Sequence, residues 1–137
     1  MSFFKKILVV DEAESSRRFL RHVLTNAGYT VEAVASNGQA IERINEGHID
    51  IFFVDVSLPE MEGIKLIKTL RESDEYAAAP ILVVTLAMKI SDEMIQQCGA
   101  AKITEWIPKP ISPSKVLSLL KKMNYESNNT LYAQSAF

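Results

Sequence analysis

The chain has 137 residues, 47% hydrophobic and 23% charged, the proportions of one globular domain long enough to bury a sizeable core. Fifteen basic and 17 acidic residues leave a net charge of -2, which argues against electrostatic capture of nucleic acid or of an anionic membrane. The single cysteine, Cys98, excludes an internal disulfide and fits a reducing compartment; with the first apolar run too short for a signal peptide or membrane span, a cytoplasmic protein is expected.

Lys5 to Val10 predicts a first buried strand that runs straight into Asp11 and Glu12. Ser15 and Ser16 are candidate caps of a helix whose apolar positions Phe19, Leu20, Val23, Leu24 and Ala27 recur at helical spacing until Gly28, with Arg17, Arg18 and Arg21 on a solvated face. Thr30 to Ala35 predicts a short strand, and Asn37-Gly38 opens a second helix that ends near Gly47. Ile51 to Val54 is an unbroken apolar run ending in Asp55, and Pro59 with Gly63 then turns the chain. A third helix follows to Glu72, with Ile64, Leu66, Ile67 and Leu70 inward.

Ser73 to Ala79 reads as a polar and small-residue loop, followed by a strand from Ile81 ending at Thr85. A fourth helix starts near Ser91 and closes at Gly99; Ile103 to Pro108, containing Trp106, predicts a fifth strand that ends at Lys109-Pro110. Ser112 or Ser114 caps a last amphipathic helix with Val116, Leu117, Leu119, Leu120 and Met123 inward, and residues 124–137 are expected to form a disordered tail. Five strands alternating with five helices predict a doubly wound α/β domain over residues 1–123, a five-stranded parallel sheet in the flavodoxin-like order 2-1-3-4-5.

Parallel strands bring their carboxyl ends to one rim, which gathers Asp11, Glu12, Asp55, Thr85 and Lys109. Three carboxylates about 5 Å apart would repel by roughly 3 kcal/mol per pair at an effective dielectric near 20, so positive charge must sit among them. Lys109 supplies one charge and a hard divalent cation the rest; Mg²⁺ suits a few carboxylates, retained waters and phosphate oxygens, whereas the calcium loop of an EF-hand is absent. With phosphate charge so neutralised, Asp55 can act as a nucleophile and become an aspartyl phosphate, with Thr85 donating its hydroxyl to a phosphate oxygen. His22 and His48 read as isolated surface residues, and Cys98 as a small buried hydrophobe.

Val-Val-Asp-Glu at the first strand, Val-Asp-Val-Ser-Leu-Pro-Glu-Met-Glu-Gly around Asp55, Val-Val-Thr at the fourth strand and Lys-Pro after the fifth resemble the receiver domain of two-component response regulators. The resemblance covers Lys5 to about Met123. It implies that Asp55 is the phosphoacceptor, that Asp11, Glu12, Asp55 and the backbone carbonyl of Ser57 form the Mg²⁺ shell, and that Thr85 and Lys109 read the phosphoryl group. Trp106 lies where that family places an aromatic switch residue. The implied protein is a stand-alone phosphorelay receiver rather than an enzyme. It would be phosphorylated by a histidine kinase or phosphotransfer protein and would signal through a changed surface to a downstream protein, with no nucleic acid bound and no membrane insertion.

Three features depart from the common pattern: Glu12 is one methylene longer than the usual aspartate, Leu86 replaces a small residue, and Gly99 to Trp106 is longer by about a turn. They motivate an alternative, a phosphorylation-independent receiver-like scaffold. A small phosphohydrolase ranks last, because Ser57 stands where such an enzyme carries its second aspartate.

Overall fold

The computed structural model describes residues 6–57, 62–85, 92–98 and 102–123. The expected tail, Leu86, Pro59 and residues 99–101 of the lengthened Gly99 to Trp106 stretch lie outside them. The strands are β1 (Lys6–Val10), β2 (Thr30–Val34), β3 (Ile51–Asp55), β4 (Ile81–Thr85) and β5 (Glu105–Pro108). They alternate with α1 (Glu14–Asn26), α2 (Asn37–Glu46), α3 (Glu62–Glu72) and α4 (Asp92–Cys98), and α5 follows over residues 113–123. Every strand pair is parallel and the sheet order is β2-β1-β3-β4-β5, the doubly wound arrangement expected from the sequence.

Strand side chains alternate between two faces, and each face is covered. Leu8, Val10, Phe52, Val54, Ile81 and Val83 pack with Leu66, Ile67 and Leu70 of α3 and with Ala40 of α2. Ile7, Val9, Ile51, Phe53, Leu82 and Ile107 pack with Leu20 and Leu24 of α1 and with Val116, Leu120 and Met123 of α5. Covered on both sides, β1 is apolar from Ile7 to Val10 and β3 from Ile51 to Val54, which is why these runs are unbroken in the sequence. Each fully buried Leu, Ile or Phe contributes about 1.5–3 kcal/mol of transfer free energy.

Several local expectations change. Ala13, not Ser15 or Ser16, is the N-cap of α1, and it makes no side-chain cap bond. The work of a cap falls to the preceding acid, since Asp11 Oδ1 accepts the Ala13 N–H at 2.8 Å. The other end of α1 closes as a Schellman turn: Gly28, at φ +100°, donates to Thr25 and Tyr29 donates to Leu24. Ser36 caps α2 by accepting the Gln39 N–H, one residue before the Asn37-Gly38 start read from the sequence. Ser112 accepts the Lys115 N–H and takes the equivalent role for α5.

Phe19 and Leu117, expected inward, are exposed, because each lies one position beyond the stripe that meets the sheet. The fifth strand begins at Glu105 rather than Ile103, since Thr104 uses its hydroxyl and its N–H on the two sides of the Ile81 backbone. The segment read as a polar loop carries Tyr76, which is buried edge-on against Phe52 with ring centroids 5.1 Å apart.

Candidate functional site

Strand alternation assembles the site. Asp11 follows Val9, Asp55 follows Phe53 and Lys109 follows Ile107, each two residues on, so all three continue the face that packs on α1 and α5 and emerge at the carboxyl edge. Asp11 and Asp55 are the buried charged residues among those described. Lys109 Nζ lies 2.9 Å from Asp11 Oδ2, 3.1 Å from Asp11 Oδ1 and 3.4 Å from Asp55 Oδ2. The Ser57 N–H donates to Asp55 Oδ1 at 2.7 Å, so the turn after β3 orients the carboxylate from below while the lysine holds it from the side.

Glu12 takes no part in this cluster. Its side chain is exposed, and among the described residues no three carboxylate, imidazole or thiol groups stand close enough to share a metal ion. The described contacts join two of the three expected carboxylates to one ammonium, with Glu12 exposed beside them in the chain.

Thr85 ends β4 opposite Pro108 of β5 in the strand register; its side chain is outside the described atoms. Trp106, half-buried in β5 and paired in register with Val83, packs on the α2 and α3 face, two strand residues short of Thr85. His22 is exposed and bonded to Asn26, and Cys98 is buried, as expected of residues without a part in the site.

The electrostatics leave room for more positive charge. Burial pushes the Asp11 carboxyl above its ordinary value, outweighing the hydrogen bonds from Lys109 and from the Ala13 N–H, and the Asp55 charge pushes the same way. Asp11 Oδ2 is buried and, although beside Lys109 Nζ, makes no directed hydrogen bond. Two buried carboxylates that share a single ammonium are a donor set that a hard divalent cation fits.

Two further residues shape the edge through contacts that the sequence did not reveal. Arg17, assigned to a solvated face, donates through Nη1 to the carbonyls of Asp11 and Glu12, each at 2.8 Å. Gly63, at the start of α3, rests against the backbone of Asp55: an added Cβ would collide with the Asp55 carbonyl oxygen and meet Val56 Cα at 3.0 Å. The turn-making Gly63 was visible in the sequence; nothing in the spacing marks Arg17 apart from Arg18 and Arg21. Beside Lys109, an open groove of about 310 Å³ runs between Ser15, Ser16 and Phe19 of α1 and Pro110 and Ile111.

A parallel 2-1-3-4-5 sheet with two buried aspartates and a lysine converging at its carboxyl edge defines the receiver class of signalling domain. The chain belongs to the response regulator receiver domain family, which it matches over residues 7–121. It is 36% identical over 121 residues to the chemotaxis protein CheY of Thermotoga maritima, covering 88% of this chain and 98% of that one. It is 30% identical over 118 residues to the polar-differentiation response regulator DivK of Brucella ovis, covering 85% and 94%. Among solved structures, Vibrio cholerae chemotaxis protein CheY4 superposes with a TM-score of 0.79 at 33% identity, covering 87% of this chain and 98% of that one. A CheY-like receiver domain protein of Methanospirillum hungatei does so with 0.81 at 25% identity, covering 93% and 98%. Domains of this family serve phosphoacceptor signalling, take their phosphoryl group from histidine kinases or phosphotransfer proteins, and bind Mg²⁺ in the active site.

Proposed function

We propose that this chain is a receiver, spanning residues 1–123, that accepts a phosphoryl group onto Asp55 and signals through a changed surface to a partner protein. The observation that carries the reading is the shared contact of Lys109 with Asp55 and Asp11 at the buried carboxyl edge of the sheet. An Asp55 carboxylate oxygen attacks the phosphorus of a phosphohistidine. The O–P bond forms as the N–P bond breaks, and the electron pair returns to the imidazole nitrogen of the donor, which takes up a proton. Lys109 and Thr85 contact the phosphoryl oxygens. Asp11, Asp55, the Ser57 carbonyl and, from the rim, Glu12 would hold Mg²⁺, which when bound would neutralise charge on the transferring group. The groove between α1 and the Lys109-Pro110-Ile111 segment gives the donor its approach.

Trp106 is the switch that follows the phosphorylated site, biasing two arrangements already accessible to the domain. The single cysteine suits a protein that works in the reducing cytoplasm. Among the described residues no helix is long and apolar enough to cross a membrane. Incubation with a phosphorylated phosphotransfer protein and Mg²⁺ is expected to give acid-stable, base-labile phosphate in the wild type and none in Asp55→Asn. Labelling that persists in the variant would refute the assignment.

The exposure of Glu12 favours a second reading, a receiver-like scaffold that binds its partner without phosphorylation. Partner affinity that is equal in wild type, Asp55→Asn and metal-free protein would select it.

A further inference from the structure

We propose that Arg17 is a positioning residue of the metal pocket, setting the two peptide groups that follow Asp11 and Glu12 by gripping their carbonyl oxygens; the inference rests on the acidic-pocket reading above. Arg18 and Arg21 are exposed, whereas Arg17 is half-buried and turns back over the start of its own helix. Its Nη1 donates at 2.8 Å to Asp11 O and at 2.8 Å to Glu12 O, two successive carbonyls of the acidic loop.

Two fixed carbonyls define two consecutive peptide planes. They thereby fix the direction in which the side chains of Asp11 and Glu12 leave the backbone. Asp11 has other anchors: its N–H donates to Val34 O at 3.0 Å, and Oδ1 accepts from Ala13 at 2.8 Å. For Glu12 the grip of Arg17 on its carbonyl is the hydrogen bond described. The guanidinium is cationic and cannot ligate a metal, so its effect on the pocket passes through the peptide it holds. Outer partners that orient metal ligands are commonly worth 10-fold to 100-fold in affinity.

The test uses the full chain and Mg²⁺ alone, then Mn²⁺ alone, with binding measured by calorimetry and by Trp106 fluorescence, and stability measured separately by denaturant unfolding in chelator. Arg17→Ala and Arg17→Gln are expected to lower affinity about tenfold or more, Arg17→Lys to recover part of it, and Arg18→Ala to bind as the wild type does. A residue that only holds the fold together would lower the unfolding midpoint and leave the affinity of the folded protein unchanged. That pattern, or wild-type affinity in both Arg17→Gln and Arg17→Lys, would overturn the assignment even if Arg17→Ala does not fold. A wild type that binds neither ion overturns the acidic-pocket reading itself, and with it this one.

Discussion

Lys109 Nζ stands 2.9 Å from Asp11 Oδ2 and farther, at 3.4 Å, from Asp55 Oδ2, so the ammonium leans toward the carboxylate of β1. Asp55 is thus the more loosely held of the two carboxylates. The same asymmetry makes Asp11 the principal anchor of the lysine.

Lys109→Met removes the cation that two buried carboxylates share, and breaking such a buried pair costs about 3–5 kcal/mol. The expected result is a large loss of stability at neutral pH in chelator, measured by denaturant unfolding. It should shrink as the carboxylates protonate, and Asp11→Asn placed in the same chain should recover part of it.

The pH dependence of the metal-free protein follows from Asp11. In the unfolded chain this carboxyl titrates near its ordinary 3.8, and in the folded chain above it. Between those two points the folded state holds the proton longer, so the contribution of Asp11 to stability is full below the unfolded value and is lost as pH rises through the folded one. Asp11→Asn should therefore raise the neutral-pH unfolding midpoint in chelator. Mg²⁺ should stabilise the wild type above this window and have little effect below it; equal stabilisation of Asp11→Asn by Mg²⁺ would contradict the argument.

Arg71, near the end of α3, donates to the carbonyls of Ala77, Ala79 and Lys102, tying the connection before β4 and the lead into β5 to one guanidinium. Arg71→Ala should cost about 2 kcal/mol, the scale of hydrogen bonds to a charged group after water has replaced some of them. Arg71→Lys should recover only a minor part, because one ammonium lacks the fork that reaches both segments. Full recovery by lysine would show that charge, rather than geometry, matters here.

Tyr76→Ala opens a cavity beside Phe52 and is expected to cost about 3–5 kcal/mol. Tyr76→Leu should cost less, since it refills part of the space. Both are read by thermal and denaturant unfolding, and an effect under about 1 kcal/mol for the alanine variant would show that the segment is not the core wall its burial indicates.

Much of this architecture is readable from residues alone, for a physical reason. The apolar runs of β1 and β3 end abruptly at Asp11 and Asp55, and in a parallel sheet equal strand ends mean neighbouring side chains. The strand that leads to Lys109 was legible in the same way. What stayed hidden depends on groups that periodicity does not see. Arg17 and Arg71 act on backbone carbonyls, which carry no sequence signature, so one looked solvated and the other unremarkable. Tyr76 sits in a segment whose polar neighbours concealed a core residue. The cap of α1 was misread because the serines near its start drew the assignment, while the bond to its first N–H comes from Asp11, a residue already claimed by the rim.

The contact of Gly63 with the backbone of Asp55 works as a mechanical stop. The first turn of α3 sits on the peptide that carries the proposed acceptor, separated from it by hydrogen rather than by a side chain that could repack. Asp55 therefore cannot sink toward the helix, and a force that seats it deeper is handed directly to α3 and the Leu66, Ile67 and Leu70 layer behind it. The elevation of the acceptor above the sheet is fixed by an atom that the chain leaves out.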